Sequence, residues 1–243
     1  MKSPEELEGT ISTRHTGWDS INWNRPCSHI LSKIEKLLKY DDNMEAMDSS
    51  GEYPWRHAIR KEDKLLIVPF LKHGLSPYHV SDEFYDMYSF DMLKAQNLIS
   101  QIYLELHDCV DTMFKHIRNP KAHTPSVIKE DKKLLPASIH ALRVLKQEYE
   151  DHIEECTDDY CKNTEFSDYQ EEYDSKMYGS TDDVLYVSQR PAFDEMTNMA
   201  RTIKSIHFNT EQMWQEYQKE QQLAKKVAHK KTLIKTAGQH TKA

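Results

Sequence analysis

Glycine is scarce in this chain, with only six residues among 243. Folds with many tight β-turns and barrel corners need more glycine than this, so the scarcity argues against an all-β protein. The apolar residues recur at intervals of three and four rather than alternating, which is the pattern of amphipathic helices. The sequence therefore predicts an all-α protein, and we expect a helical bundle.

Cysteine and long apolar segments are scarce as well. The chain has four cysteines, and two of them fall in strongly helical patterns, which does not suit a disulfide scaffold. No segment approaches the roughly 20 consecutive apolar residues that a membrane-spanning helix needs, and the first residues lack the apolar run of a secretory signal. We therefore expect a cytoplasmic protein with no membrane partner.

The glycine motifs of nucleotide-dependent enzymes are also missing. The sequence has neither Gly-x-Gly-x-x-Gly nor Gly-Lys-Ser/Thr, and it lacks the Gly-x-Ser-x-Gly of serine hydrolases. These absences argue against nucleotide-fuelled and serine-hydrolase chemistry. No cofactor is predicted.

The net charge of -8 is unevenly distributed along the chain. Between Lys219 and Lys242, seven lysines stand against one acid, which gives this tail +6 and leaves -14 for the rest. A basic tail on an acidic body can contact phosphates, or it can simply be a solvated helix end. The charge pattern leaves both interpretations open.

The hydrophobic pattern divides the chain into four parts. Residues 1–25 look irregular, and residues 26–158 contain the periodic apolar positions of the bundle core. Residues 159–190 are acidic and tyrosine-rich without a sustained period, so we expect a long acidic loop. Residues 191–243 combine an apolar stripe with the basic tail, which predicts an extended C-terminal helix.

A long helix from Asp91 to Ile117 is the strongest structural signal. Its apolar residues keep a three-four spacing for three heptads. Pro120 and Pro125 should end it, and a further helix is predicted to resume near Pro136. Two long helices joined by a short connection are expected to pack antiparallel.

A short motif, Arg118-Asn119-Pro120-Lys121-Ala122-His123, lies at this connection. A guanidinium forks onto two phosphate oxygens, and an imidazole exchanges a proton near neutral pH. An arginine, a polar amide and an imidazole within two turns could together form a metal-free site that cleaves a phosphodiester.

In this context the motif resembles that of the HEPN superfamily, compact helical-bundle proteins whose active members carry an arginine, a polar residue and a histidine. The run Arg-Asn-Pro-x-Ala-His is similar to the version in HEPN proteins of prokaryotic defence and abortive-infection systems. The resemblance covers roughly residues 91–158 and no more of the chain.

The resemblance implies a metal-independent endoribonuclease or an RNA-binding protein of a defence or stress type. In such a protein His123 would act as general base or acid at the ribose 2′-hydroxyl, and Arg118 would stabilise the charged phosphorus transition state. Asn119 would orient one of the two or hydrogen-bond the substrate. A homodimer is implied as well, with two copies of the motif facing one cleft.

A different class of function stays open beside this one. Arg118 and Asn119 can simply cap the C-terminus of the preceding helix, where a cation meets the negative end of the helix dipole. The protein would then be a non-enzymatic helical interaction or assembly protein, such as a viral or complex subunit. It would bind a protein partner through the helix and basic tail of residues 191–243.

A second set of candidates for chemistry is His152, Cys156 and Cys161. His152 and Cys156 stand four residues apart on one helical face, and all three are ligands that suit zinc. A fourth ligand is not evident, and the spacing matches no familiar zinc finger. The three residues are therefore kept as candidates only, and no metal site is predicted.

Overall fold

The structure is a computed structural model. It describes the backbone of residues 16–40, 42–88, 91–174 and 183–240, and side-chain burial for residues 16–40, 42–88, 91, 93–154 and 195–228. Within the described backbone there are seven α-helices and one short 3₁₀ helix, and there is no β-strand. The all-α prediction is therefore confirmed.

In chain order, the elements are the 3₁₀ helix Gly17–Ser20, α1 Cys27–Lys39, α2 Pro54–Arg60, α3 Lys64–Lys72, α4 Pro77–Met87, α5 Met92–Arg118, α6 Pro125–Asp174 and α7 Asp183–His240.

The chain divides into two compact units. Unit one comprises Met1–Leu106 and Leu134–Tyr149, and unit two comprises His107–Lys133 and Glu150–Ala243. The long helices α5 and α6 therefore contribute residues to both units. The connection between them, which carries the predicted motif, belongs to unit two.

In unit one, α1 supplies an apolar stripe that packs against α3. Ile30, Ile34 and Leu38 are four residues apart, so they share one helical face, and all three are buried. Trp18 is also buried, and its ring lies 5.6 Å from that of Phe70 in α3. The apolar residues that recur every three to four positions are thus buried, as their spacing predicts.

In unit two, α7 packs against the end of α5. Its residues Ile203, His207, Thr210 and Trp214 are three or four positions apart, and all are buried. The next turn of α7 places the Tyr217 ring 6.3 Å from the ring of Phe114, edge to face. This contact brings α7 next to the predicted motif.

The predicted long helix is confirmed with a shift of one residue at each end, since α5 spans Met92–Arg118. The helix that follows begins earlier than predicted. Pro125 is its first residue, and the helix continues through Pro136 to Asp174. Proline is tolerated in the first turn because its missing N–H has no helical partner there. The connection is consequently only six residues long.

The acidic loop predicted for residues 159–190 differs from the structure. Residues 159–174 continue α6, and residues 183–190 are the start of α7; residues 175–182 lie outside the described backbone. Residues 159–174 contain no glycine or proline, which is compatible with a helix. The missing apolar period therefore did not exclude a helix.

Along the described part of the chain, no helix combines the length and the apolar character needed to cross a membrane. The backbone of α7 also continues as a helix through most of the lysine-rich tail, to His240.

Candidate functional site at the turn between α5 and α6

The connection between the two long helices is a tight turn formed by residues 119–124. The Asn119 amide still donates to the Lys115 carbonyl at 3.0 Å, as in the preceding helix. Pro120 has no amide hydrogen, so it cannot donate the next helical hydrogen bond. The Ala122 amide then turns back to the Asn119 carbonyl at 3.1 Å. The turn places His123 beside the last turns of α5.

His123 lies against a second histidine, His116 of α5. The two ring centroids are 4.1 Å apart, with the planes tilted by 40°. His116 is fixed from the other side, because its Nδ1 lies 2.9 Å from Oδ2 of Asp131 in α6. Three groups that can exchange or hold a proton therefore meet at the turn, and we call them the His116–His123–Asp131 cluster.

The hydrogen bond to Asp131 determines what His116 can offer to a ligand. A carboxylate accepts from Nδ1–H, so the neutral ring presents Nε2 as its acceptor nitrogen. The Asp131 and His116 side chains are 14% and 25% exposed, so the pair is partly shielded from water and still reachable. The His123 ring forms no hydrogen bond to any described residue, which leaves its nitrogens available.

Arg118 is oriented differently. Its Nη2 atom donates to Oε2 of Glu216 in α7 at 3.0 Å, and the guanidinium carbon lies 5.9 Å from the centroid of the Phe114 ring. The side chains of Arg118 and Glu216 are 51% and 65% exposed, so the ion pair is at the surface.

Beside this ion pair lies a small cleft of about 270 Å³. It is lined by Phe114, Ile117, Arg118, Pro120, Tyr217 and Glu220. Partial burial raises the pKa of the Tyr217 phenol above its ordinary value. His123 is not among the lining residues.

Helical geometry explains why Arg118 and His123 have different neighbours. Successive residues of an α-helix are separated by about 100°, so Arg118 projects roughly 200° away from His116 around α5. His123 packs on His116, on the side of α5 away from Phe114 and Arg118. No hydrogen bond or ring contact joins Arg118 to His123 among the described residues.

Asn119, the third predicted residue, is exposed at the start of the turn. Its backbone N–H and carbonyl take part in the two hydrogen bonds that shape the turn. Its side chain forms no hydrogen bond within the described residues, so it is open to a ligand.

No family model, curated protein or solved structure matches this chain.

Two residues of the cluster, His116 and Asp131, were missed by the sequence analysis. His116 is two positions before the motif, and Asp131 is one and a half turns into α6. Predicting the helix start at Pro125 instead of Pro136 would have placed Asp131 opposite the end of α5. Pro125 was therefore the signal for the start of α6, because proline is favoured at the first helical position.

The zinc candidates gain no support from the described residues. His152 lies in α6, and the side chains of Cys156 and Cys161 are outside the part that the structure describes. Where side chains are described, no group of three or more histidine, cysteine and acidic residues is arranged to hold a metal ion.

Proposed function

We propose that this protein is an HEPN-like, metal-independent endoribonuclease or RNA-binding protein of a defence or stress type, acting in the cytoplasm. The observation that carries the proposal is the His116–His123–Asp131 cluster, in which a carboxylate-bound imidazole contacts a second imidazole at a partly exposed turn. Two adjacent imidazoles can supply the base and the acid that RNA cleavage needs.

The chemistry proposed for the cluster is an internal transfer at phosphorus. Nε2 of His116 takes the proton of the ribose 2′-hydroxyl, and the 2′-oxygen attacks the phosphorus. The bond from phosphorus to the 5′-oxygen breaks, and protonated His123 gives its proton to that oxygen. The products are a 2′,3′-cyclic phosphate and a free 5′-hydroxyl, and no water or metal ion enters this step.

Arg118 is proposed to hold the phosphate oxygens through its guanidinium fork. Since it projects away from His123 within one chain, the arginine and the histidines must come together in another way. A homodimer, which the HEPN resemblance implies, satisfies this need if the Arg118 of one copy faces the imidazoles of the other. Asn119 is proposed to hydrogen-bond the substrate at the same place.

The test is to incubate the protein with single-stranded RNA in excess chelator and to identify the cut ends by mass spectrometry. We expect cyclic phosphate ends, and we expect His123→Ala and His116→Ala each to slow cutting by about 10²- to 10⁴-fold. Arg118→Ala should slow cutting as well, with the helical content of every variant unchanged.

His140→Ala is the matched control, because His140 is an exposed histidine elsewhere in α6. It should cut like the parent. If the His123 and Arg118 variants are both as active as the parent, the catalytic proposal is wrong.

One observation favours the second candidate function, a helical interaction protein. Among the described residues, α7 exposes the apolar side chains of Phe208, Leu223 and Val227 by 63%, 64% and 47%. Leu223 and Val227 are four residues apart, so they share one face that can pack against another helix.

Under this second function, the double variant Leu223→Ser, Val227→Ser should lose the self-association of the chain. Sedimentation velocity measures this loss. Gln222→Ser, an exposed change in the same turn, should retain self-association. His123→Ala should leave association intact, and RNA should remain uncut.

A further inference from the structure

A groove of about 810 Å³ lies in unit one, at the start of α1. It is formed by the loop after the 3₁₀ helix and by the first two turns of α1. Its lining residues are Ile21, Asn22, Arg25, Ser28, His29, Ile30, Ser32 and Lys33.

The lining is basic, although the protein has a net charge of -8. Arg25, His29 and Lys33 face the groove, whereas no aspartate or glutamate is among its lining residues. The remaining polar lining residues, Asn22, Ser28 and Ser32, can donate hydrogen bonds. A groove with cations and donors and without acids matches the chemistry of an anion.

The backbone places two of the three basic residues on one helical face. His29 and Lys33 are four residues apart in α1, about 6 Å along its axis at 1.5 Å per residue, and Ser28 and Ser32 are neighbours of this pair. Arg25 precedes the helix, in the turn before α1, and adds a third cation to the lining. Cations on both the turn and the helix suit linked phosphates better than a single small ion.

Local contacts position Arg25 and Lys33 beside the groove. The Arg25 amide donates to the Asn22 carbonyl at 3.0 Å, which closes a turn before α1 begins. The Lys33 ammonium donates to the Ser20 carbonyl. An ammonium has three donors, so this contact positions Lys33 beside the groove and leaves two donors for a ligand.

Arg25 has no acidic partner among the described residues. This distinguishes it from Arg56 and Arg60 of α2, which pair with Glu83 and Glu52. A guanidinium without a carboxylate partner can fork onto phosphate without first breaking an ion pair.

We propose that this groove is a binding site for linked phosphates, contacted by Arg25, His29 and Lys33. The shared chemistry is a row of phosphate oxygens, and two sources supply it: an RNA strand and a nucleoside triphosphate. Phosphate binding here does not require that the turn between α5 and α6 cleaves RNA.

The experiment measures the affinity of the full chain for two probes, a fluorescent octauridylate RNA and a fluorescent ATP. His123→Ala serves as the background, so that the RNA stays intact during titration. In this background Arg25→Gln and Lys33→Gln are combined, and binding is followed by fluorescence anisotropy at several salt concentrations.

The control combines Lys36→Gln with Lys39→Gln. Both residues are exposed lysines in the last turns of α1 outside the groove, so the control removes the same charge from the same helix. Circular dichroism should show equal helical content in both double variants.

We expect the Arg25 and Lys33 variant to bind at least one probe roughly tenfold or more weakly at 0.1 M salt, and its salt slope to fall by about 1 to 2. The control should keep the parental affinity. Binding of RNA alone identifies a nucleic-acid strand as the ligand, and binding of ATP identifies a nucleotide.

Two results overturn the proposal. One is that neither probe binds the parent. The other is that the groove variant and the control variant lose affinity equally, because then only the overall charge matters. Neither result bears on RNA cleavage at the turn, which the chelator assay measures separately.

Discussion

The Arg118 guanidinium is hydrogen-bonded to the Glu216 carboxylate at 3.0 Å, so α7 places an acid where Arg118 would otherwise be free to hold a phosphate. The contact is at the surface and joins residues that are 98 positions apart in the sequence. A substrate phosphate would have to displace this carboxylate. The pair therefore predicts that α7 weakens ligand binding at the turn.

Replacing Glu216 with glutamine should strengthen RNA binding, because Arg118 loses its carboxylate partner. Exposed ion pairs contribute about 0.2–1 kcal/mol, so the gain should be at most roughly fivefold. Fluorescence anisotropy with a short RNA measures it. Glu195→Gln removes one exposed acid from the same helix and should have no effect. Equal gains in the two variants would argue for overall charge instead of a local pair.

Mixing two inactive variants tests whether Arg118 and His123 act across a dimer. If they meet between copies, co-refolded Arg118→Ala and His123→Ala chains should recover about one quarter of the parental activity, since half of the dimers are mixed and each has one complete site. If both residues act within one copy, the mixture should stay inactive. RNA cleavage in chelator provides the measurement for both cases.

Asp131→Asn should slow cleavage with little effect on RNA affinity. The amide is similar in size to the carboxylate but no longer favours a proton on Nδ1 of His116, so the ring loses its fixed orientation. We expect kcat to fall and KM to stay close to the parental value. Asp111→Asn, which removes an acid paired with Lys115 on the same part of α5, is the control and should be fully active. Unchanged kcat in Asp131→Asn would exclude His116 from the reaction.

Acid stability should depend on a contact between the α2–α3 loop and the start of α5. The Tyr88 hydroxyl and the Lys94 ammonium both bond the Glu62 carboxylate, and these hydrogen bonds lower the pKa of Glu62. A lowered carboxylate pKa stabilises the fold above the unfolded value of about 4.3. This stabilisation is lost as the pH falls through the folded pKa.

Tyr88→Phe should therefore reduce stability at pH 7 by less than about 1 kcal/mol, because the group is partly exposed. The difference from the parent should shrink at pH values well below 4. Urea unfolding at several pH values tests this. Tyr78→Phe, at an exposed tyrosine of α4, is the control and should show no such dependence. A deficit that stays constant from neutral to acid pH would contradict the role of Glu62.

The spacing of apolar residues predicted the helices well, because the same spacing shows that a segment is helical and which of its faces is buried. α5 was predicted almost to the residue for this reason. The same signal failed in residues 159–174, where a helix without an apolar stripe leaves no period to detect. Only helix propensity could have identified it.

The candidate site was predicted in part. The motif correctly marked the turn, because Pro120 cannot donate the next hydrogen bond of α5 and a helix often ends at such a residue. The partners of its residues could not be predicted. Asp131 requires the start of α6, and Glu216 requires α7 to lie beside α5. Such contacts depend on tertiary packing, which spacing along the chain does not encode.

The distribution of tryptophan across the two units has a practical consequence. Trp18, Trp23 and Trp55 belong to unit one, whereas Trp214 is the one tryptophan of unit two. Trp214 is 9% exposed and stacks on Tyr217, and Tyr217 lines the cleft beside Arg118. The emission of this single indole is consequently a built-in optical reporter for the half of the molecule that carries the turn. Spectra of a Trp214→Phe protein, subtracted from those of the parent, would isolate that reporter from the three fluorophores of the other half.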